Sequence, residues 1–263
     1  MAHLEQGHFF EKCMEHFPHV FFNSKSKVID FGSLDINGGP HLKITAKYIG
    51  VDLGEGPNVN LVCPSQEVGL ESKSFDAAIS SECLEHNPFW KETLFQMARL
   101  TREGGLVVWT CAGIGRAIHG TSNAADGGIS APFVASSSDY YKNVDARSAS
   151  RAINHEGWYE DFIFFENFKS WDTYFVGIRK GCSSQDFESF QILKKDLVDN
   201  FDDVTKFKFR RFLYNIGCVN LVEKYFDFFR FVKVVVHADS KFDRIIKKLK
   251  KWSKILRYQL SDH

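Results

Sequence analysis

The fold is decided by the stretch Lys27-Val-Ile-Asp-Phe-Gly-Ser-Leu-Asp-Ile-Asn-Gly-Gly39. A short β-branched run ends in an acid and is followed by a turn of small residues. The chain repeats this arrangement further on, in Tyr48-Ile-Gly-Val-Asp52. Parallel α/β sheets present a nucleotide-like ligand at the carboxyl ends of their first strands in this way, with the second acid accepting ribose hydroxyl hydrogens. The two stretches therefore predict a parallel α/β domain with a nucleotide-like ligand.

The glycine spacing argues against a dinucleotide. After Gly32 the chain continues Ser33-Leu34-Asp35, so the Gly-x-Gly-x-x-Gly spacing of dinucleotide-binding turns is absent. We therefore expect a cofactor other than NAD.

Length and composition indicate a soluble globular protein. The 263 residues are 44% hydrophobic and 25% charged, enough for one α/β domain of moderate size with an appendage. The net charge of zero conceals an asymmetry. Residues 205–263 carry 15 Lys and Arg against 5 Asp and Glu, and the first 204 residues carry 18 against 28. The chain therefore has an acidic body and a basic tail.

Six scattered cysteines, with no Cys-x-x-Cys pair and no histidine at zinc spacing, favour buried thiols in a reducing compartment. We expect no metal site. Residues 1–7 lack the basic and apolar regions of a signal peptide, and no uncharged apolar run reaches the ~18 residues of a membrane span. We expect a cytoplasmic location, with attachment to the membrane surface through the basic tail as the alternative left open.

The hydrophobic periodicity predicts strands that alternate with helices, which is typical of a doubly wound, mostly parallel sheet closed by an antiparallel hairpin. The expected strands are 27–31, 48–52, 59–63, 75–80, 106–111, 158–168 and 171–179. The expected helices are 5–24, one ending at Lys47, one opened by Pro88 and capped by Gly104-Gly105, 144–155, 187–200 and 241–257. We expect a lead-in helix in 1–24, the sheet domain in 25–181, and a basic, aromatic-rich, mainly helical extension in 182–263.

Four motifs together resemble the class I S-adenosylmethionine-dependent methyltransferases, in particular the type 11 subgroup that modifies small molecules and glycans. They are Val28-Ile-Asp-Phe-Gly-Ser33, Tyr48-Ile-Gly-Val-Asp52, Phe75-Asp-Ala-Ala-Ile-Ser-Ser-Glu-Cys-Leu-Glu-His86 and Leu100-Thr-Arg-Glu-Gly-Gly-Leu-Val-Val108. The resemblance covers roughly residues 25–180 and implies a Rossmann-like sheet with S-adenosyl-L-methionine as the cofactor.

The resemblance also implies which residues bind the cofactor: Asp30, Gly32, Ser33, Asp52, Ser65, Gln66, Ser81 and Glu82. Asp30 and Gly32 would lie under the methionine half, Asp52 would hold the ribose hydroxyls, and Ser65 with Gln66 would lie at the adenine. Ser81 and Glu82, at the end of the fourth strand, would face the methionine end of the cofactor. The alternatives left open are an N-terminal cap for Asp30 and a turn former for Asp52.

Methyl transfer to a hydroxyl requires a general base, whereas an amine needs only to be neutral, and histidine is the usual base at neutral pH. His119 ranks first as a base or substrate-site residue, followed by His86 and then His155. The alternative for His86 is a structural hydrogen bond at the start of a helix. Asp126, which precedes two glycines, is more typical of a turn than of a cation ligand.

The resemblance favours O-methylation of a small-molecule or sugar hydroxyl. One alternative is an RNA or protein methyltransferase that uses the basic tail, although the Asn-Pro-Pro-Tyr motif of amino-methylating nucleic-acid enzymes is absent. Another is a catalytically silent scaffold that binds the cofactor. For the tail itself we weigh packing on the acidic body, contact with a membrane surface or a lipid-linked acceptor, and contact with nucleic acid.

Overall fold

The computed structural model describes residues 4–36, 38–121, 140–167 and 170–201. Its strands are β1 (Lys27–Phe31), β2 (Lys47–Asp52), β3 (Leu61–Val62), β4 (Phe75–Ser81), β5 (Thr101–Ala112), β6 (Tyr159–Asn167) and β7 (Asp172–Arg179). Its α-helices are α1 (Leu4–His16), α2 (Pro18–Phe21), α3 (Trp90–Leu100), α4 (Ala146–Ser150), α5 (His155–Trp158) and α6 (Ser184–Phe201). Three 3-10 turns lie at Pro40–Lys43, Ser65–Glu67 and Leu84–His86.

The seven strands form one sheet in the order β3-β2-β1-β4-β5-β7-β6. Strands β1 to β5 are parallel, and β7 lies antiparallel between β5 and β6. The expected mostly parallel sheet with a closing hairpin is confirmed. From β1 the chain moves outward through β2 and β3 and then returns to β4 on the other side of β1. The carboxyl ends of β1 and β4 therefore border the crevice in which such sheets bind ligands.

Hydrophobic side chains cover both faces of the sheet, as the uninterrupted apolar runs of β1 and β5 predict. On one face, Val28 lies in a core cluster with phenylalanines of α1 and with Phe190 of α6. On the other face, Ile29 packs in a cluster with Leu94 and Met97 of α3. Successive residues of β1 thus enter opposite layers, and the strand ends are held between two packed helical layers.

The helix expected before Lys47 is a wrong prediction. In the described part of that segment, residues 38–46, the structure has a four-residue 3-10 turn, Pro40–Lys43. Gly38, Gly39 and Pro40 explain the difference, because glycine is costly in a helix and proline lacks an amide hydrogen. The loop is held instead by Asp35, whose carboxylate accepts the Gly38 amide at 2.6 Å.

The cap expected at Gly104-Gly105 is also wrong. Helix α3 ends at Leu100, and β5 continues through both glycines. Gly104 has φ +69° and donates its amide to the carbonyl of Lys180 at 3.1 Å, which joins β5 to the chain beyond β7. A Cβ on Gly105 would lie 2.5 Å from the carbonyl oxygen of Asp76. Gly104 and Gly105 therefore allow β5 to pack closely against its neighbours and do not cap helix α3.

Other boundaries differ in smaller ways. The expected helix 5–24 is divided at Pro18, the expected helix 144–155 is two short helices, and the third strand is confined to Leu61–Val62. Three expectations lie outside the described residues: the helix 241–257, the basic tail as a whole, and the turn at Asp126. Within the ranges described, no helix combines the length and the apolar character that crossing a membrane requires.

Replacing Gly32 by alanine is expected to destabilise the protein by about 1–3 kcal/mol. Gly32 has φ +77°, and an added Cβ would lie 2.4 Å from Cβ and 2.5 Å from Sγ of Cys83. Urea denaturation measures the loss.

Gly7→Ala is the matched control for this substitution. Gly7 is exposed in α1, and its added Cβ would meet no atom within 4 Å. Alanine there is expected to stabilise the protein by up to about 1 kcal/mol, because it favours the helix. Equal effects of the two substitutions would contradict the assigned packing at Gly32.

Candidate functional site

The turn after β1 is tied to the end of β2. The amides of Gly32 and Ser33 both donate to the carbonyl of Val51, at 2.9 and 3.2 Å. This shared acceptor brings the first turn beside Asp52, the last residue of β2. The structure thus brings together the two acids that the sequence marked at separate strand ends.

Asp52 holds this arrangement with both carboxylate oxygens. Oδ2 accepts the amide of Leu34 at 2.9 Å, and Oδ1 accepts the amide of Leu53 at 2.7 Å. Burial raises the pKa of Asp52, and the two amides oppose that shift. Each oxygen retains a second lone pair, so the side chain can stabilise the turn and also accept hydroxyl hydrogens from a ligand.

Asp30 lies inside β1 and is 3% exposed, so its alternative as a helix cap is wrong. The hydroxyl of Tyr48 donates to Oδ2 at 2.7 Å, whereas Oδ1 is buried and has no hydrogen-bond partner among the described residues. Burial raises the pKa of Asp30 to about 7, with Tyr48 lowering it and Asp52 raising it further. A buried acceptor of this kind at the crevice fits a cationic donor from a ligand.

Ser65 and Gln66 lie in the 3-10 turn that follows β3. The amide of Cys63 donates to the carbonyl of Asp52 at 2.9 Å, which places this turn just beyond the end of β2. Ser65 is buried, and the carbonyl of Gln66 accepts Nε2 of Gln96 from α3 at 2.8 Å. The position agrees with an edge of the crevice, and adenine binding there stays a prediction.

Ser81 ends β4, and Glu82 follows it with φ +54°, a left-handed conformation that is uncommon for a residue other than glycine. The amide of Glu82 donates to the carbonyl of Thr110 at 3.0 Å. Its carboxylate is buried, and burial together with Glu85 raises its pKa to about 8, while Arg116 lowers it. A strained backbone with a buried acid at a strand end is typical of a functional position.

His86 and His119, the two histidines ranked highest from the sequence, lie together. Their ring centroids are 5.2 Å apart in an edge-to-face arrangement. Tyr141 contacts both rings, with centroids 5.4 Å from His86 and 5.1 Å from His119. His86 belongs to the 3-10 turn after β4, and burial together with His119 lowers its pKa to about 4.

His119 is held in one orientation by its Nδ1 atom, which lies 3.1 Å from the carbonyl oxygen of Ala117. A carbonyl can only accept, so the neutral ring carries its proton on Nδ1 and Nε2 is the atom that can bind a proton or a metal. Nε2 lies 3.8 Å from Oε1 of Glu85. Glu85 is fully buried, and burial raises its pKa to about 7. Glu85 was not predicted as a site residue, although it immediately precedes His86.

Arg116 and Asp172 form a second pair, which was not predicted from the sequence. Nη1 of Arg116 donates to Oδ1 of Asp172 at 2.5 Å, and Nη2 lies 3.9 Å from Oε2 of Glu82. Asp172 is fully buried, and burial raises its pKa to about 7. Asn143 fixes the loop that carries Arg116, since its amide donates to the carbonyl of Arg116 at 2.9 Å.

His155, the third candidate base, lies elsewhere. It begins α5 and is buried, with ring centroids 5.3 Å from Phe162 and 5.5 Å from Phe175. Burial lowers its pKa. These contacts assign it a packing role in the aromatic cluster between the hairpin and α5.

The family comparison concerns the central part of the chain. Residues 38–109 match a family model described as a methyltransferase domain. The matched segment contains β2, β3 and β4 and most of β5. No curated protein is significantly similar to the chain.

Solved structures with similar folds have low sequence identity. The 1,6-didemethyltoxoflavin-N1-methyltransferase of Burkholderia thailandensis, with 1,6-didemethyltoxoflavin and S-adenosylhomocysteine bound, is 15% identical over 67% of this chain and 80% of its own, with a TM-score of 0.44. A SAM-dependent methyltransferase from Archaeoglobus fulgidus is 14% identical over 66% of this chain and 94% of its own, with a TM-score of 0.45. The CurJ carbon methyltransferase is 14% identical over 67% of this chain and 54% of its own, with a TM-score of 0.47.

The fold and the family match define the class of protein. Residues 38–109 match a methyltransferase domain, and the sheet that contains them has the mostly parallel, Rossmann-like arrangement expected of class I methyltransferases. The cofactor that this match supports is S-adenosylmethionine. The match supports S-adenosylmethionine-dependent methyl transfer as the activity of this domain. The residues present fit this cofactor, because Oδ1 of Asp30 lacks a partner among the described residues and Asp52 retains acceptor capacity. We expect Asp30 to hold the cofactor amino group and Asp52 its ribose hydroxyls.

Asp52→Ala is expected to weaken the binding of S-adenosylhomocysteine at least roughly tenfold, because it removes a charged acceptor and releases the Leu34 and Leu53 amides. Isothermal titration calorimetry measures the change. Asp161→Ala is the control, since Asp161 is a β6 residue paired with Lys194 on α6. Affinity of the Asp52 variant equal to that of the wild type would refute the assigned ribose site.

The affinity for S-adenosylhomocysteine is expected to fall as the pH is lowered through about 7. The pKa of Asp30 lies near 7, above the ordinary value, so the side chain is neutral below that pH and cannot pair with an ammonium group. Calorimetry on both sides of pH 7 measures the effect. Asp30→Asn should bind weakly and should lack this step, and a step that is unchanged in the variant would assign it to another group.

Proposed function

We propose that the protein transfers the methyl group of S-adenosylmethionine to a hydroxyl group of a small molecule or sugar. The supporting observation is the contact between His86 and His119 at the sheet edge that carries the Asp30 and Asp52 strand ends. Strands β4 and β5 supply the two histidines through the turn and loop that follow them. The candidate cofactor residues and the candidate base residues therefore lie at the same edge of the sheet.

The chemistry favours a hydroxyl acceptor over an amine. S-adenosylmethionine supplies an electrophilic methyl group, so the protein has to orient the acceptor and activate it. A neutral amine is already nucleophilic, whereas a hydroxyl must lose its proton near the transition state. Two imidazoles backed by the buried carboxylate of Glu85 are an arrangement suited to that proton transfer.

The orientation of His119 supports its role in activation. Its Nδ1–H points to the carbonyl of Ala117, so Nε2 is the basic atom, and the carboxylate of Glu85 lies 3.8 Å from it. A carboxylate at that distance stabilises the imidazolium that forms when Nε2 takes up a proton. Tyr141 packs against both rings and limits their rotation.

The direct test is methyl transfer from labelled cofactor to a panel of sugars and phenols, each paired with its amino analogue. We expect S-adenosylhomocysteine to form with the hydroxyl compounds and the label to reside on oxygen. Transfer confined to the amines, to RNA or to protein would contradict the proposal. Cofactor binding without any transfer would favour the scaffold alternative.

His119→Gln and His86→Gln are expected to lower kcat by roughly 10²–10⁴-fold on a hydroxyl acceptor, the usual range for loss of a general base. Binding of S-adenosylhomocysteine should be retained, because neither residue lies at the Asp30 or Asp52 strand ends. His19→Gln is the control, since the side chain of His19 is half exposed on α2. A kcat within twofold of wild type in both test variants would refute a role for the pair.

A further inference from the structure

Glu85, His86 and His119 have a second property besides their basicity. Each offers one donor atom, and these three atoms lie within 4.8 Å of one another. The residues come from two separate segments, the turn after β4 and the loop after β5. Their sequence spacing matches no familiar metal motif, so the sheet topology alone brings the donors together.

The donor types indicate which ions the cluster would prefer. Imidazole nitrogen suits zinc, iron, nickel and copper, whereas magnesium and calcium prefer sites built from oxygen. Two histidines and one carboxylate, with a coordination position left for water or substrate, also form the ligand set of known catalytic zinc sites. The cluster therefore resembles an open site for a divalent transition metal ion.

The distances are compatible with coordination after small side-chain rotations. A tetrahedral zinc ion with bonds of about 2.1 Å holds its ligand atoms about 3.4 Å apart. Nε2 of His119 and Oε1 of Glu85 are 3.8 Å apart, already close to that value. No two of the donor atoms lie more than 4.8 Å apart, so the widest separation has to shorten by at most about 1.4 Å.

Burial and charge supply an independent argument. Glu85 is fully buried, and no side chain of the described residues donates a hydrogen bond to its carboxylate. Burial raises its pKa more than the backbone amides of Glu85 and Ala112 and the charge of Arg116 lower it. Glu82 and Asp172 are also buried acids in this region, and they share Arg116 as a cationic partner. A buried carboxylate without a side-chain hydrogen bond is costly, and a divalent cation would compensate for it.

We propose that Glu85, His86 and His119 bind one divalent transition metal ion, with zinc as the reference ion. Metal binding itself is independent of the proposed function. Its role rests on that function: a hydroxyl coordinated to the ion would be held in place and would become more acidic, and its proton would leave to solvent water. With the ion bound, Nε2 of His119 would act on the acceptor through the metal and would no longer take up the proton itself.

The test uses the full chain after treatment with a chelator, titrated calorimetrically with zinc chloride in the absence of cofactor and acceptor. We expect one ion per chain. Glu85→Gln and His119→Gln should each weaken this binding by more than the roughly 10–100-fold that loss of an outer-shell partner causes. His19→Gln should bind like the wild type.

Cobalt spectra and folding controls sharpen the test. Cobalt(II) should give visible d–d bands without the thiolate charge-transfer band that a cysteine ligand would produce. Binding of S-adenosylhomocysteine and an unchanged Tm should show that the variants are folded, and Glu85→Gln preserves the shape of the buried side chain. No zinc binding to the wild type, or equal binding in the wild type and both test variants, would overturn the proposal.

The metal proposal and the proposed function can fail separately. Undiminished transfer to hydroxyl acceptors by a chain that binds no metal would overturn the metal site and leave the reaction standing. Metal binding that is lost in the two variants, together with transfer confined to amines, would support the site and refute the hydroxyl acceptor.

Discussion

The site depends on a close approach between two strand ends. Gly32, in the turn after β1, lies against Cys83 at the end of β4, with no room between them for a side chain. The same turn donates two amides to Val51 of β2. Because the strand order reverses between β1 and β4, this contact joins the two halves of the crevice. The acids of β1 and β2 lie on one side of it, and the buried acids and histidines after β4 and β5 lie on the other.

The parts of the fold that could be predicted are those fixed by local burial. Val28 and Ile29 enter opposite hydrophobic layers, and a β-branched run buried on both faces is recognisable in the sequence. Glycine pairs were harder to interpret. Gly104-Gly105 has the composition of a helix cap, yet the pair continues β5 because Gly104 binds the carbonyl of Lys180, a contact made across the sheet. Such a partner is invisible to local propensity.

The candidate site, like the fold, has parts that could be predicted from the sequence and parts that could not. The positions of Asp30 and Asp52 could be predicted, because each acid lies near the carboxyl end of an apolar run that is recognisable as a strand. Their partners could not, because Tyr48 reaches Asp30 only through the pairing of β1 with β2. The approach of Glu85 to His119 depends on two separate loops. The two histidines could therefore be selected as candidates from the sequence, whereas the carboxylate beside them could not. No metal site was expected, because the sequence has no donors at the spacing of a zinc motif.

The buried acids are better explained by ligands than by stability. The pKa values of Asp30, Glu82, Glu85 and Asp172 are all raised, with burial as the largest cause, so each acid lies where its ionised form is disfavoured. Apolar residues of similar size would pack there at less cost. A sulfonium cofactor with an ammonium group is cationic, and so is a metal ion. Once ionised, these carboxylates would attract such partners strongly, because water no longer screens the charges. The cost of burying these acids in the protein alone would thus be offset where a cation enters beside them.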